Sequence, residues 1–334
     1  MDNKLKPWKI VFLLFLIAAS IYVINNQIPY QSNSGQIFGT YYNITYKAKD
    51  NLHTQIKEVL LRVDNSLSPF NRNSIITKIN NNKEVEPDSM FLQVFDLAQE
   101  ISGKTDGAFD ITVAPLVNAW GFGFRNGTPT DTLTIENLRK IVGYTTVRNE
   151  NGRIVKKDSA TMLDCSAIAK GYGCDAVATM LRKQGITDFL VEIGGEVVAQ
   201  GNNQQGNKWS IGVNKPVDDA TQSNNELQEV LHISGKCMAT SGNYRNFRYE
   251  NGRKVSHTID PRTGYPVQHS LLSATVIAND CATADAYATA FMVTGLERAM
   301  EICKQNKGID ALFIYADSNG TIKTAETKNL KNYR

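Results

Sequence analysis

The sequence is poor in the features that usually betray a nucleotide or redox site. It has no GxxxxGK[ST] loop and no GxGxxG run, which counts against a P-loop and a dinucleotide-binding Rossmann fold. Its cysteines, Cys165, Cys174, Cys237, Cys281 and Cys303, show no CxxC spacing. Their odd number leaves at least one thiol outside any intramolecular pair. No disulfide is assigned, and the five are read as buried structural residues. Histidine is scarce, with four in 334 residues. Charge of either sign is nearly balanced, 36 basic residues against 33 acidic, for a net +3. With no basic run, a nucleic-acid partner is excluded. There is no internal repeat and no low-complexity segment.

Long apolar runs are also missing except at the start. Lys4, Lys6 and Lys9 precede an uncharged stretch from Ile10 to Ile24. It is short of the roughly 20 residues of a comfortable span and at the long end of the 7–15 or so of a cleaved signal. Residues 1–28 are expected to form a signal anchor, with a signal peptide cleaved near Ala18-Ala19-Ser20 as the second reading. The basic flank keeps the N-terminus cytoplasmic and sends the remainder across. The expected location is the cytoplasmic membrane, with the folded part on the periplasmic, extracytoplasmic side. No cysteine follows the run, so lipoprotein processing is not supported.

Residues 26–36 (NQIPYQSNSGQ) are polar and turn-rich, and predict a linker over 29–36. From there about 300 residues suffice for one large domain or two lobes. Strand patterns occur at Gly39–Ala48, Ile154–Leu163, Asp188–Gln200, Trp209–Val213, Val230–Ser234, Leu272–Ala278, Ala311–Tyr315 and Thr321–Ala325. Helical periodicity occurs at Thr54–Ser66, Ser89–Ser102, Thr134–Val142, Ala167–Gln184, Ala282–Thr294 and Leu296–Asn306. Strands and helices mix without strict alternation, which predicts an α+β fold.

Three segments carry chemistry. In Ser256–Gly264 (SHTIDPRTG), His257 stands where a strand gives way to a turn. Rigidly held loops of this kind carry much catalysis, although a structural histidine fits the same place. Asp285 and Thr289 are spaced i, i+4 and share one helix face. A carboxylate and a hydroxyl there are hard ligands suited to Mg²⁺. A tightly packed alanine-rich helix with a capped Asp fits that spacing as well. Asp164–Tyr172 (DCSAIAKGY) lies at a strand-to-helix junction whose free N–H groups favour phosphate. Lys170 adds a charge, while Asp164 or Ser166 as a simple cap accounts for the segment equally. Gly194-Gly195 permits close backbone approach to a ligand.

These segments join others in a fixed order. They are Leu67-Ser68-Pro69-Phe70-Asn71 with Ser74 and Ile79-Asn80; Gly107–Val113 (GAFDITV) with Pro115-Leu116 and Trp120–Gly123; Glu192–Glu196; and Ser241–Tyr244. Together the set resembles the FAD:protein FMN transferases, the ApbE flavin-trafficking family, over about residues 37–330. The resemblance implies a two-lobed α+β fold of mixed sheet and helices, with the active site in the cleft between lobes and the catalytic domain over 37–330. It implies Mg²⁺ held by Asp285, Thr289 and the backbone carbonyl of Ala167. It implies FAD contacts from Ala108, Phe109, Asp110, Asp164, Lys170 and Ile259. Phe70 falls where the family usually has a Tyr beside the flavin, and Phe38 where many members have a Met. The implied reaction moves FMN from FAD to a Thr or Ser hydroxyl of a target flavoprotein and releases AMP. His257 is the expected base, with Asp260 orienting it or serving instead. Implied targets are flavin-carrying subunits of Na⁺-pumping NADH:quinone oxidoreductase or Rnf-type complexes. An FAD pyrophosphatase and a non-catalytic FAD-binding protein are the alternatives.

Overall fold

The computed structural model of the chain describes residues 7–125, 131–216, 226–243, 247–250 and 253–334. Lys4 and Lys6 of the basic flank, and Tyr244 of the Ser241–Tyr244 motif, lie outside them. Helix α1 (Pro7–Asn26) contains the apolar run. No helix among the described residues is long and apolar enough to cross a membrane, so the membrane-anchor helix expected over 1–28 is not supported. The reason is dimensional. Ile10–Ile24 spans roughly 22 Å at the helical rise, against a hydrocarbon core of about 30 Å.

The predicted linker is a second correction. Strand β1 (Tyr30–Ile37) pairs antiparallel with β2 (Thr40–Lys47) in unbroken register, Tyr30 opposite Lys47 through Ile37 opposite Thr40. Only Asn33 of β1 is buried, and it accepts the Tyr46 hydroxyl at 2.8 Å. The other positions face water in whole or in part, which is why the segment reads as polar coil. Phe38 and Gly39 close the hairpin with φ of +52° and +73°, the two left-handed positions that a two-residue type I′ turn requires.

Helices α2 (His53–Leu67), α3 (Ile75–Asn80), α4 (Ser89–Lys104), α5 (Ala114–Ala119) and α6 (Thr132–Arg139) follow. Three of them start at side-chain caps. Ser74 accepts from Thr77 N–H, Asp88 from Phe91 N–H and Asp131 from Thr134 N–H, each satisfying one orphan donor of the first turn. The strand pair expected over Ile154–Leu163 sits earlier, as β3 (Val147–Glu150) and β4 (Arg153–Lys156). Asn151 and Gly152, with φ of +52° and +84°, form its turn. Past Lys156 the chain leaves the ladder, and Thr161 N–H turns back to the Asp158 carbonyl at 3.1 Å.

Helix α7 (Ala169–Lys183) leads into β5 (Phe189–Ile193), β6 (Glu196–Gln200), β7 (Trp209–Asn214), β8 (Leu227–Ile233) and β9 (Lys236–Gly242). Then come β10 (Phe247–Glu250), β11 (Arg253–Ser256), β12 (Leu271–Ala278), α8 (Cys281–Thr294), α9 (Leu296–Gln305), β13 (Asp310–Ala316) and β14 (Ile322–Glu326). One eight-stranded sheet has the order β1-β2-β5-β6-β9-β12-β13-β14. Alternation along its strands divides the core between two faces. Val198 joins Tyr42, Ile44 and Tyr46 under α2 and α7. Val197 and Ala199 point the other way and pack with Trp209, Val213, Leu231 and Ile233 of the β7–β8 hairpin. The fold is α+β, as predicted.

Helix α8 is buried along nearly its whole length, so its alanines serve close packing on every side. Asp280 caps it through Thr283 N–H. Asp175 of α7 adds a second anchor by accepting N–H bonds from Cys281 at 2.9 Å and Ala282 at 2.8 Å. Burial pushes the Asp175 carboxyl up to about 7 against those bonds. Away from the main core, Leu116, Ala119, Ile135 and Ile259 form a small satellite cluster. The cleft between this satellite and the body of the sheet contains the site. All five cysteines are free and buried.

Candidate active site in the cleft

A cavity of about 810 Å³ occupies the cleft, a size suited to a large organic ligand. Phe38, Phe70, Ala108, Phe109, Asp110, Asp164, Ala167, Lys170, His257, Ile259, Asp285 and Thr289 all line it. Residues from six separate stretches of chain thus converge on one space.

The wall at 108–113 is set by a turn. Asp106 and Gly107 have φ of +53° and +72°, and Gly107 N–H closes onto the Ser102 carbonyl at 2.8 Å. Asp110 then pins the loop. It accepts Thr112 N–H, the Thr112 hydroxyl and Tyr144 N–H, each at 2.7 Å. Burial raises its carboxyl to about 6 in opposition to these donors. Asp110 faces the cavity, but its oxygens are committed to holding the wall. Asp164 is similar, accepting Ser166 N–H at 2.8 Å, with burial raising its pKa. Its strand-like approach is fixed by Asn80, which bonds both Leu163 N–H at 2.7 Å and Leu163 C=O at 2.8 Å.

Where the chain enters α7, the Gly171 N–H turns away from its own helix and donates to Asp285 Oδ2 at 3.1 Å. The Ala167 carbonyl, four residues earlier, accepts no hydrogen bond among the described residues. That contact is close because Gly171 has no side chain. A Cβ there would lie 2.3 Å from the Cys281 carbonyl oxygen. Ala167 with its carbonyl, Asp285 with its buried carboxylate and Thr289 with its hydroxyl all line the cavity. Three hard oxygen donors of this kind fit Mg²⁺, which completes its octahedron with waters and substrate phosphate. No cluster of three His, Cys, Asp or Glu able to hold a metal occurs among the described residues, which leaves a single carboxylate as the only charged ligand in this set.

Lys170 sits at the centre of the charges. Its Nζ is 3.0 Å from Glu196 Oε1 and 3.7 Å from Asp285 Oδ1. Burial alone would lower the Lys170 pKa, but Asp285 and Glu196 outweigh it and raise it. The ammonium stays charged. Glu196 closes the Glu192–Glu196 motif, but sequence reasoning assigns it no role at the site. Its side chain is 4% exposed, and Oε2 has no hydrogen-bond partner among the described residues. The signal was a carboxylate opening an otherwise apolar strand directly after Gly194-Gly195.

His257 follows the last residue of β11 directly, at the strand-to-turn position expected. Its backbone is clamped on both sides, since Asn243 Oδ1 accepts the Ser256 and Thr258 hydroxyls at 2.7 Å each. The Phe122 ring meets the imidazole edge-on, centroids 6.5 Å apart. Asp260 is the exception among the expected residues, because it is not part of the cavity lining. Its two oxygens accept Arg262 N–H, Nε and Nη2 at 2.8–2.9 Å. A carboxylate so occupied shapes the turn and is poorly placed to replace His257 as a base. Phe70, 69% exposed, stands at the rim edge-on to Phe124.

Comparison with known proteins identifies the family. An FAD:protein FMN transferase of Vibrio cholerae is 37% identical over 299 residues, covering 86% of this chain and 88% of that protein. The protein of the same name from Haemophilus influenzae is 32% identical, covering 92% of this chain and 93% of its own. The solved structure of the flavin transferase ApbE from Vibrio cholerae superposes with a TM-score of 0.82 at 33% identity, over 92% of this chain and 99% of that one. The model of the ApbE family matches residues 38–313, and the chain belongs to that family.

Proposed function

We propose that this protein transfers the FMN moiety of FAD to a Thr or Ser hydroxyl of a target flavoprotein. The observation that carries the reading is the convergence of Lys170, His257, Asp285 and Thr289 on one large cavity with apolar walls. The apolar wall from Phe38 to Phe109 suits a flavin ring, and the polar floor suits a diphosphate. Asp285, Thr289 and the Ala167 carbonyl would hold Mg²⁺, whose charge would offset that developing on the phosphates.

The target hydroxyl oxygen attacks the FMN-side phosphorus, and the bond to the bridging oxygen breaks. AMP departs with that oxygen, and FMN remains on the target as a phosphodiester. The hydroxyl proton passes to the His257 imidazole, a step of general-base type worth about 10²–10⁴-fold. Lys170 steadies the diphosphate. Positioning of this kind supplies most of the rate in such transfers.

Flavin-carrying subunits of Na⁺-pumping NADH:quinone oxidoreductase or Rnf-type complexes are the proposed targets. The basic flank before Ile10–Ile24 supports work outside the cytoplasm, with residues 37–330 as the catalytic unit. Incubation with FAD, Mg²⁺ and such a subunit should give a flavin-fluorescent target band on a denaturing gel and one AMP per label. Free FMN and AMP with an unlabelled target would replace this reading by FAD hydrolysis. FAD binding without AMP would replace it by a storage role.

A further inference from the structure

The polar floor contains one carboxyl group more than a single metal ligand requires. Glu196 contributes a second carboxyl, buried to 4% exposure and with Oε2 unpartnered among the described residues. Leaving a buried acceptor unmet costs folding free energy, and an apolar residue at the head of β6 would pack without that cost. The position is therefore not explained by stability. Its contact with Lys170 explains it better. Glu196 Oε1 holds the Lys170 ammonium at hydrogen-bond distance, 3.0 Å, while Asp285 Oδ1 stays at 3.7 Å. The lysine stem passes over Gly194, where an added Cβ would sit 3.4 Å from Lys170 Cδ.

An ammonium closed onto Asp285 would occupy the oxygen that a divalent cation needs. We propose that Glu196 is a positioning residue that draws the Lys170 ammonium off Asp285, leaving Asp285 open to the cation and Lys170 turned to the substrate's phosphates. The cation and the phosphates come from the FMN-transfer reading, on which this inference rests. Without Glu196, lysine and metal compete for one carboxylate.

The test is a MgCl₂ titration by calorimetry on FAD-saturated protein without acceptor. Glu196→Gln keeps an acceptor for Lys170 but removes its charge. It should weaken Mg²⁺ by about tenfold or more, the scale of one charge-assisted hydrogen bond. Lys170→Met in the same chain should bring the Mg²⁺ constant back to within about threefold of the unaltered protein, because the competitor is gone. Lys170→Met alone should bind Mg²⁺ at least as tightly as the unaltered protein while binding FAD more weakly. A purely structural Glu196 would lower the melting temperature with no Mg²⁺-specific change, and no rescue. Unchanged Mg²⁺ affinity in Glu196→Gln overturns the proposal, as does absence of rescue. Should Glu196→Gln not fold, weaker Mg²⁺ binding in Lys170→Met overturns it independently. Failure of the FMN-transfer reading shows elsewhere, as an unlabelled acceptor with these constants intact.

Discussion

Gly171→Ala tests whether the contact between α7 and α8 positions the chemistry. The new Cβ would lie 2.3 Å from the Cys281 carbonyl oxygen, 2.7 Å from its carbon and 2.9 Å from Ala282 Cα. All three are backbone atoms, so no side chain can swing aside. Restoring ordinary contact requires the helices to part by roughly 1 Å. Overpacking of this sort costs about 1–3 kcal/mol, against about 1 kcal/mol gained by replacing glycine inside a helix. The net loss is therefore up to about 2 kcal/mol, or a fall of up to roughly 3 °C in melting temperature for a chain of this size. The effect on turnover should be larger. Parting the helices withdraws Asp285 from the Gly171 N–H and shifts it relative to Lys170, and a 1 Å misplacement can cost about 10²-fold. Gly103→Ala is the control. It lies on the exposed face of α4, and its Cβ would meet nothing within 4 Å, so it should stabilise by about 0.5–1 kcal/mol with activity intact. Thermal melts and AMP release measure both variants. A Gly171→Ala protein that melts higher and releases AMP at the full rate would refute the reasoning.

Other substitutions probe single parts of the site. His257→Ala should lower kcat by about 10²–10⁴-fold and leave FAD affinity unchanged in a fluorescence titration; a parallel loss of FAD binding would make His257 a ligand-positioning residue. Asp285→Ala should abolish Mg²⁺-dependent AMP release, and unchanged release would remove it from the metal site. Asn80→Ala leaves both polar groups of Leu163 unmet and should cost about 2–4 kcal/mol in urea unfolding, with weaker FAD binding because Asp164 is next in the chain. Asp175 has its carboxyl raised from 3.8 to about 7 in the folded state, so its contribution favours folding below about pH 4 and is lost as pH rises through 7. Asp175→Asn should flatten that pH dependence by up to about 4 kcal/mol, and identical pH slopes in the two proteins would count against the shift.

Most of the architecture was legible because periodicity and turn chemistry agree along the chain. Helical periodicity marked α2 and α7. Gly194-Gly195, read only as permitting close approach to a ligand, form the turn of the β5–β6 hairpin with φ of +61° and +100°. Strand β9 (KCMATSG) escaped notice although it lies between β6 and β12. It has few branched residues, since Ala239 sits in the core shared with α8 and small side chains allow that approach. Helix α5 was hidden by its brevity and its proline. Within the site, the motifs located nearly every wall, because a catalytic residue type does not depend on knowing the fold. Glu196 and the Asp260–Arg262 pair required coordinates. What distinguishes a carboxylate facing a cavity from one closed onto a neighbouring arginine is side-chain direction, and one-dimensional spacing does not carry it.

The polarity that disguised β1 has a use of its own. β2 carries Thr40, Tyr41, Tyr42, Ile44, Thr45 and Tyr46, a sequence well suited to adding strands from another molecule. With β1 in place, that ladder is already filled, and the outermost surface is a row dominated by Gln, Ser, Asn and Gly. A chain shortened to begin at Phe38 would keep every motif residue and the whole segment matched by the family model. It would also expose β2 as a bare aromatic margin and free the Phe38 turn from one of its two legs. Such a protein should self-associate through strand pairing, and its flavin pocket should lose definition at the same time.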